Sequence, residues 1–176
     1  MDTKQERLQN RIGPEVAEFR ETQKTLQLAT ITPSGVPHVS YSPFVYLPDG
    51  YYILVSDIAQ HGQNLHNNKN ISIMMIEDEQ DAKSIYARKR LSFDAQANHI
   101  ERESEVWTNA VKALEGRFGE IVSNLSNLGD FNLYRLVPEQ GRFVKGFGKA
   151  FEVSGSDMVD FVHLNEGHKS INKQAS

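Results

Sequence analysis

The feature that most restricts the fold of this chain is a pair of strand-like runs joined by Asp49-Gly50. The runs VPHVSYSPFVYL and YYILVS are rich in β-branched and aromatic residues, which suit a pleated, half-buried backbone. Asp-Gly between two such runs is a strong signal for a tight hairpin. Together with TLQLATIT and the turn at residues 33–35 just upstream, the pattern predicts a meander of three antiparallel strands.

The rest of the chain adds more strands than helices. Strands are predicted at ISIMMIED, RKRLSFDAQANH, DFNLYRLVP and GRFVKGFGKAFEV, with a turn at residues 139–141 between the last two. Gly146-Phe147-Gly148 falls inside the last run, where glycine marks a bulge or a close backbone approach. Because strands and helices do not alternate, the pattern favours a mainly β fold, a closed or nearly closed antiparallel barrel with peripheral helices.

The helices are predicted at the edge of this barrel. Residues 15–23, EVAEFRETQ, form a short amphipathic pattern behind Pro14, and QHGQNLHNN predicts a short helix or a loop. From Glu101 to Phe118 the apolar period becomes helical, which predicts a helix packed on the core. The apolar residues on its inner face are Val106, Trp107, Ala110, Val111, Leu114 and Phe118.

Length and composition limit the class of protein. A chain of 176 residues with 39% hydrophobic residues can bury one core, which predicts a single domain over residues 1–164 and a tail at 165–176. No apolar run approaches the roughly 20 residues that span a bilayer. The start MDTKQERLQNR has no secretory apolar segment, and the absence of cysteine rules out disulfides and thiolate metal sites. These features predict a cytoplasmic protein without a membrane partner.

General motifs do not identify a chemistry. The net charge of −4 argues against a nucleic-acid partner, since general nucleic-acid binders are normally basic. The sequence contains no nucleophile elbow, Walker loop, HExxH motif or dinucleotide-binding glycine pattern. The remaining candidates are six histidines, the basic stretch Arg88-Lys89-Arg90 and the turn Gly129-Asp130.

Four stretches nevertheless occur in a specific order and spacing. They are TLQLATITPSGVPHVSYSPFVYLPDGYYILVSDIAQHGQNL, NISIMMIEDE, ARKRLSF and GRFVKGFGKAF. Through them the chain resembles the flavin-binding superfamily of pyridoxamine-phosphate oxidases, and within it the HugZ/HutZ haem-utilisation family, along nearly its whole length. The resemblance implies a split β-barrel, like that of FMN-binding proteins, which forms a homodimer and binds haem.

The resemblance also assigns candidate site residues. It implies that His168, within NEGHKSIN of the tail, is the proximal ligand of the haem iron, and His163 is an alternative ligand. It maps Asp130 onto an aspartate of the neighbouring subunit that hydrogen-bonds this imidazole and raises its basicity. Asp130 also suits a simple turn residue before a strand, and the sequence leaves both interpretations open.

Arg90 resembles the arginine on the open face of the haem. A guanidinium there can hydrogen-bond an oxygen species at the iron or pair with a propionate. Because side chains alternate along a strand, Arg88 would share a side with Arg90 while Lys89 faces the other. Arg88 is therefore a further haem-binding candidate, with a solvated basic patch as its alternative. His61 is a weaker candidate, since its polar surroundings suit simple solvent exposure.

The cofactor prediction is haem rather than FMN. Flavin-binding relatives place an Arg-Lys pair after the third strand, because the FMN phosphate needs fixed cationic donors. The corresponding stretch here is Ala59-Gln60-His61, which disfavours FMN.

Three functions follow from the resemblance, in order of preference. The first is oxidative degradation of haem to a biliverdin-type product with release of iron and carbon monoxide. An external donor would supply the electrons, and a haem-delivery protein would supply the haem. The second is haem storage or transfer without turnover. The third is an FMN-dependent oxidoreductase, since a fold alone does not decide a function.

Overall fold

The computed structural model describes residues 3–161, which form one antiparallel sheet system with helices around it. His168, His163 and the tail at residues 165–176 lie outside the described residues. The strands are β1 Thr25–Ile31, β2 Pro37–Pro43, β3 Val45–Leu47, β4 Gly50–Ser56, β5 Asn70–Ile76, β6 Arg90–Ile100, β7 Phe131–Gly146, β8 Lys149–Ser154 and β9 Val159–Phe161. The α-helices are α1 Lys4–Thr22, α2 Gln60–Asn67, α3 Glu105–Phe118 and α4 Ile121–Ser126, and Ile85–Ala87 forms a short 3₁₀ helix.

The sheet confirms the predicted mainly β architecture with peripheral helices. Its strand order is β2-β1-β5-β6-β7-β4-β3, and β8 and β9 are added on the far half of β7. The long strand β7 pairs with β4 along its first half and with β8 along its second half, while β6 runs beside both halves. The order begins at β2 and ends at β3, so hydrogen bonds do not close the barrel.

The predicted three-stranded meander is wrong, because the run at residues 36–47 forms two strands. β2 pairs with β1, whereas β3 pairs with β4 at the other end of the strand order. The break falls at Pro43, which has no backbone N–H to donate to a ladder. The next residue, Phe44, is fully buried and its N–H donates to the Lys24 carbonyl. The chain therefore turns a corner here and passes to the opposite edge of the sheet.

The predicted turn at residues 139–141 is also wrong, since β7 runs straight through it. A Cβ on Gly141 would lie 2.3 Å from the Phe93 ring and from the Ser92 carbonyl oxygen, so this glycine permits a close strand approach. The chain reverses instead at 146–148, which the sequence placed inside a strand. Gly146 and Gly148 have φ of 155° and 65° there, angles that glycine adopts without a steric penalty.

The helix bounds differ from the predictions: α1 is longer than predicted, whereas α3 begins four residues later than predicted. α1 begins at Lys4, where Thr3 and Glu6 form a capping box, and it continues past Pro14. α3 begins after Ser104, whose side chain accepts from the Trp107 N–H. α4 follows it directly and was not predicted. Within residues 3–161 no helix is both long and apolar enough to cross a membrane.

Two clusters of buried side chains hold these elements together. The larger one fills the barrel and includes Leu8, Ile12 and Val16 of α1. The smaller one lies under α3, where Ala110, Val111 and Leu114 are buried and Trp107 and Phe118 pack against them, which confirms these five residues of the predicted inner face. Val106 is exposed in the first turn of α3, so the prediction is wrong for this residue.

Candidate functional site

The predicted site residues within the described chain lie at opposite ends of the β6–β7 pair. Arg90 begins β6 and pairs with Val144 near the end of β7. At the other end, Ile100 pairs with Leu133, three residues after Asp130. Ten residues of β6 separate the two ends, which is about 33 Å of strand at roughly 3.3 Å per residue. We call these regions the arginine end and the aspartate end.

Arg90 is half-buried at the arginine end and keeps donors available. Its Nη1 donates to the Arg88 carbonyl at 3.2 Å. Its Nε and Nη2 have no hydrogen-bond partner among residues 3–161. A guanidinium has five N–H donors in a fixed fork, so Arg90 can still donate to an anionic or oxygen-bearing ligand.

Arg88 is engaged differently. Its Nε donates to the Glu77 carbonyl at 3.1 Å, and its Nη1 lies 3.4 Å from Glu79 Oε1. The neighbouring Lys89 N–H donates to Glu77 Oε1 at 2.6 Å. These bonds close the base of the loop between β5 and β6. The structure therefore gives Arg88 a role in shaping the loop whose carbonyl holds Arg90.

Asp130 is half-buried at the aspartate end, in the turn before β7. Its Oδ2 accepts from Ser56 Oγ at 2.6 Å, and its backbone carbonyl accepts from the Asp57 N–H at 2.8 Å. Its Oδ1 has no hydrogen-bond partner in the described part of the chain. Asp130 thus serves as a turn residue and still presents one carboxylate oxygen to a donor from outside.

A polar network beside Asp130 was not predicted from the sequence. His66 Nε2 lies 2.6 Å from Asp57 Oδ1, and Asn132 Nδ2 donates to the same oxygen at 2.8 Å. Burial, together with the nearby charge of Asp57, raises the pKa of Tyr134 to about 12. Ser56 and Asn132 come from β4 and β7, which are paired here. No single stretch of sequence shows this convergence, because it depends on the pairing.

An apolar groove of about 490 Å³ opens beside Asp130. The groove is lined by Ser56, which hydrogen-bonds Asp130, and by Phe131, which follows Asp130 in the chain. The other lining residues are Tyr41, Ser42, Pro43, Leu54, Val55, Ala59, His61, Leu114, Phe118, Ile121, Val122 and Leu125. Its volume lies in the range of small-molecule sites, about 300–1,000 Å³, and no lysine or arginine lines it among residues 3–161.

His61 enters this groove from the start of α2. Its Nδ1 lies 3.0 Å from Ser40 Oγ, and burial, then the nearby His38, lowers its pKa. The lowered pKa favours the neutral form of the imidazole. Gly62 brings α2 close to β4, since a Cβ there would lie 2.1 Å from the Ser56 carbonyl oxygen. The structure thus places His61 at the aspartate end, away from Arg88 and Arg90.

The described chain ends at the arginine end. Leu91, Phe143, Phe151 and Phe161 are successive partners across β6, β7, β8 and β9. Three strand spacings of roughly 4.8 Å place Phe161 about 14 Å from Leu91. The segment that carries His168 therefore starts on the side of Arg90. Within residues 3–161 no three His, Asp or Glu side chains form a metal-binding group.

Comparisons with known proteins agree with this architecture. The family model for pyridoxamine 5′-phosphate oxidase matches residues 12–145, which include Arg90 and Asp130. The haem oxygenase HutZ of Vibrio cholerae serotype O1 is 59% identical over 168 residues, 96% of this chain and 96% of that protein.

Two solved structures are similar in fold and sequence. The crystal structure of HutZ, named there as the haem storage protein from Vibrio cholerae, has a TM-score of 0.75 and 52% identity over 77% of this chain and 96% of that chain. The crystal structure of Campylobacter jejuni ChuZ has a TM-score of 0.83 and 34% identity over 93% of this chain and 67% of that chain.

Proposed function

The chain belongs to the pyridoxamine 5′-phosphate oxidase family, and on that premise we propose that it binds haem and degrades it oxidatively during haem utilisation. One observation carries the proposal: a protein named haem oxygenase is 59% identical over 96% of both chains. The predicted product is a biliverdin-type tetrapyrrole, with release of iron and carbon monoxide. Dioxygen is the oxidant, an external donor supplies the electrons, and one bridging carbon leaves as carbon monoxide.

The residues available at the two ends suit this substrate. Haem needs an apolar surface for its ring, a ligand for its iron and donors for its charged or oxygen-bearing groups. The groove at the aspartate end supplies the apolar surface, and Arg90 supplies unpaired N–H donors. We assign the iron ligand to His168, which lies outside the described residues.

The distance between the ends supports a site shared by two copies of the chain. His168 follows Phe161 by seven residues, so it can reach about 25 Å from it at most. Phe161 lies in the strand row of Phe143, and twelve residues of β7, about 40 Å of strand, separate Phe143 from Phe131. We propose a homodimer in which Asp130 of one copy meets His168 of the other.

In this arrangement each residue has a distinct task. Bound haem supplies the iron at which dioxygen is reduced. The imidazole of His168 would hold the haem, and its second ring nitrogen would donate to Oδ1 of Asp130, which would make the imidazole more basic. Arg90 would donate to charged or oxygen-bearing groups of the haem. Leu114, Phe118 and other groove residues exclude water from the ring edge.

Haem storage or transfer is the second candidate, because a crystal structure of HutZ names that protein a haem storage protein. Haem degradation and haem storage need the same iron ligand, so only a measurement of haem turnover distinguishes them. An FMN-dependent oxidoreductase ranks third. A flavin phosphate needs cations, whereas the groove is lined by the uncharged His61 and by no lysine or arginine within residues 3–161.

The test is a titration of the purified protein with haem and, separately, with FMN. We expect a saturable absorbance change with haem alone. The haem complex, supplied with a reductant, dioxygen and catalase, should then lose its Soret band and yield a bilin and free iron. If the haem is bound but bleaches only when peroxide is present, the storage function replaces the enzymatic one. Saturable binding of FMN alone would favour the oxidoreductase.

A further inference from the structure

Helix α1 holds the point from which the C-terminal segment leaves the barrel. The Gln9 side-chain amide spans the turn before β9: its Nε2 donates to the Asp157 carbonyl at 2.9 Å, and its Oε1 accepts from the Val159 N–H at 2.7 Å. One turn earlier, Gln5 Nε2 donates to the Val159 carbonyl. Two side chains of α1 thus bond the backbone of β9 as a neighbouring strand would.

A buried ion pair fixes the same turn from the other end of α1. Arg20 is 3% exposed, and its guanidinium grips both carboxylate oxygens of Asp157, with Nη1 at 2.9 Å from Oδ2. Its Nε donates to the Tyr51 hydroxyl at 2.8 Å, and its guanidinium carbon lies 3.9 Å from the centre of the Tyr46 ring. The guanidinium thus contacts Asp157, Tyr51 and Tyr46 at the same time, and these contacts link the position of Asp157 to the barrel core.

These contacts matter because the sheet itself holds β9 weakly. β9 has three residues and pairs only with β8 among the described strands. Short edge strands of this kind fray readily. Asp157, with φ of 60°, places the chain reversal directly before β9. The position of β9, and so of Phe161, therefore depends on α1 as well as on the strand ladder.

We infer that Gln9 and Arg20 are positioning residues for the iron ligand, because they fix the root of the segment that carries His168. This inference rests on the proposed function. With β9 held, seven residues link Phe161 to His168, but with β9 released, fourteen residues link Ser154 to His168. Release of β9 thus doubles the number of residues between the last held strand and His168, so we expect weaker haem binding.

The direct test compares Gln9→Ala with Asn10→Ala. Asn10 is exposed on the same helix, so its variant controls for a general effect on α1. We expect Gln9→Ala to bind haem about three- to tenfold more weakly and to show less histidine-bound haem in its absorbance spectrum, while Asn10→Ala binds haem as the unmodified protein does. Thermal unfolding of the haem-free proteins checks that both variants fold.

Added imidazole separates positioning from a loss of stability. If Gln9→Ala only moves the ligand away from the iron, free imidazole should restore the ligated spectrum, as it should in His168→Ala. A barrel damaged at the haem surface would not respond in this way. Asp157→Asn provides a second variant, since asparagine tolerates the positive φ but removes the charge that Arg20 grips. It should show the same weaker binding and the same rescue.

The outcomes distinguish this inference from the proposed function. Unchanged haem affinity in Gln9→Ala and Asp157→Asn, with a strong loss in His168→Ala, would overturn the positioning role and leave the function intact. Weaker binding without imidazole rescue would also overturn it. If the unmodified protein binds no haem, or if His168→Ala binds it normally, the proposed ligand fails before the positioning question arises.

Discussion

The arginine end and the aspartate end of the β6–β7 pair differ in what they offer a ligand. The arginine end presents hydrogen-bond donors on Arg90 and lies near the root of the C-terminal segment. The aspartate end presents an acceptor on Asp130 beside an apolar groove. Among residues 3–161, no lysine or arginine lines the groove at the aspartate end. In the proposed homodimer, the haem site therefore combines one end from each of two copies.

The two ends also differ in how the chain builds them. At the arginine end, the loop between β5 and β6 is held at its base by bonds to Glu77, which orient Arg88. The Arg88 carbonyl in turn accepts from Arg90. At the aspartate end, contacts between residues far apart in sequence, such as Ser56 with Asp130, assemble the site. Changes at the arginine end should therefore act locally, whereas changes at the aspartate end should also affect the pairing of β4 with β7.

Removing the proposed ligand should have the largest effect. His168→Ala removes the imidazole that binds the iron, and we expect haem affinity to fall by more than about 100-fold, since loss of outer-shell partners alone often costs 10–100-fold. The melting temperature of the haem-free protein should not change. Haem titration monitored by absorbance measures the loss. His163→Ala is the matched control, and a loss confined to His163→Ala would move the ligand to that residue.

Asp130→Asn tests the aspartate end. The amide oxygen can still accept from Ser56, but the amide nitrogen then replaces Oδ1 and cannot accept from the imidazole N–H. We expect haem to remain bound while turnover falls about 10- to 100-fold, a range typical of outer-shell residues. Steady-state loss of the Soret band with reductant and catalase measures turnover. Equal losses in affinity and in turnover would show that Asp130 acts only on binding.

Arg90→Ala and Arg88→Ala separate two neighbouring cations at the arginine end. Arg90→Ala removes free donors, so we expect turnover to fall about tenfold, a loss of roughly 1.4 kcal/mol in transition-state stabilisation, with little change in unfolding. Arg88→Ala removes bonds within the loop and should lower the free energy of unfolding by about 1–2 kcal/mol. Urea unfolding and turnover assays measure both. The reverse pattern would assign the ligand-facing role to Arg88.

The smallest effect should come from His61 and depend on pH. Its pKa is lowered in the folded state, so acidification protonates the unfolded chain first and stability is lost as pH falls below about 6.5, the ordinary value. Between pH 7.5 and pH 5.5 the melting temperature should fall further in the unmodified protein than in His61→Gln. Parallel curves for the two proteins would show that His61 titrates normally.

Local signals in the sequence predicted much of this fold. The hairpin at Asp49-Gly50 and most of the apolar face of α3 are confirmed because both depend on residues close together in the chain. The predicted meander is wrong at Pro43, where the chain leaves β2 and passes to the other edge of the sheet. The predicted turn at residues 139–141 is wrong because Gly141 is needed for its close approach to Phe93 on the neighbouring strand, and not for a local turn. A glycine in the sequence does not show by itself whether it forms a turn or permits a close approach between strands.

The candidate site residues were predicted from the family resemblance and not from their spacing in the sequence. Arg90 and Asp130 are 40 positions apart in the sequence, and no motif links them. Nothing in the sequence distinguished the roles of Arg88 and Arg90, which depend on the Glu77 carbonyl. The network of Asp57, His66 and Asn132 depends on strand pairing and was missed for that reason. The assignment of His168 stays a prediction.

The shared site can be tested most directly by mixing two variants that are each impaired. A heterodimer of one His168→Ala chain and one Asp130→Asn chain, isolated with two different affinity tags, contains one intact pair if the residues meet across subunits. We expect one haem ligated as in the unmodified protein and about half the turnover per dimer. If both residues act within one chain, each site lacks a partner, and turnover no higher than in the parent variants would contradict the shared site.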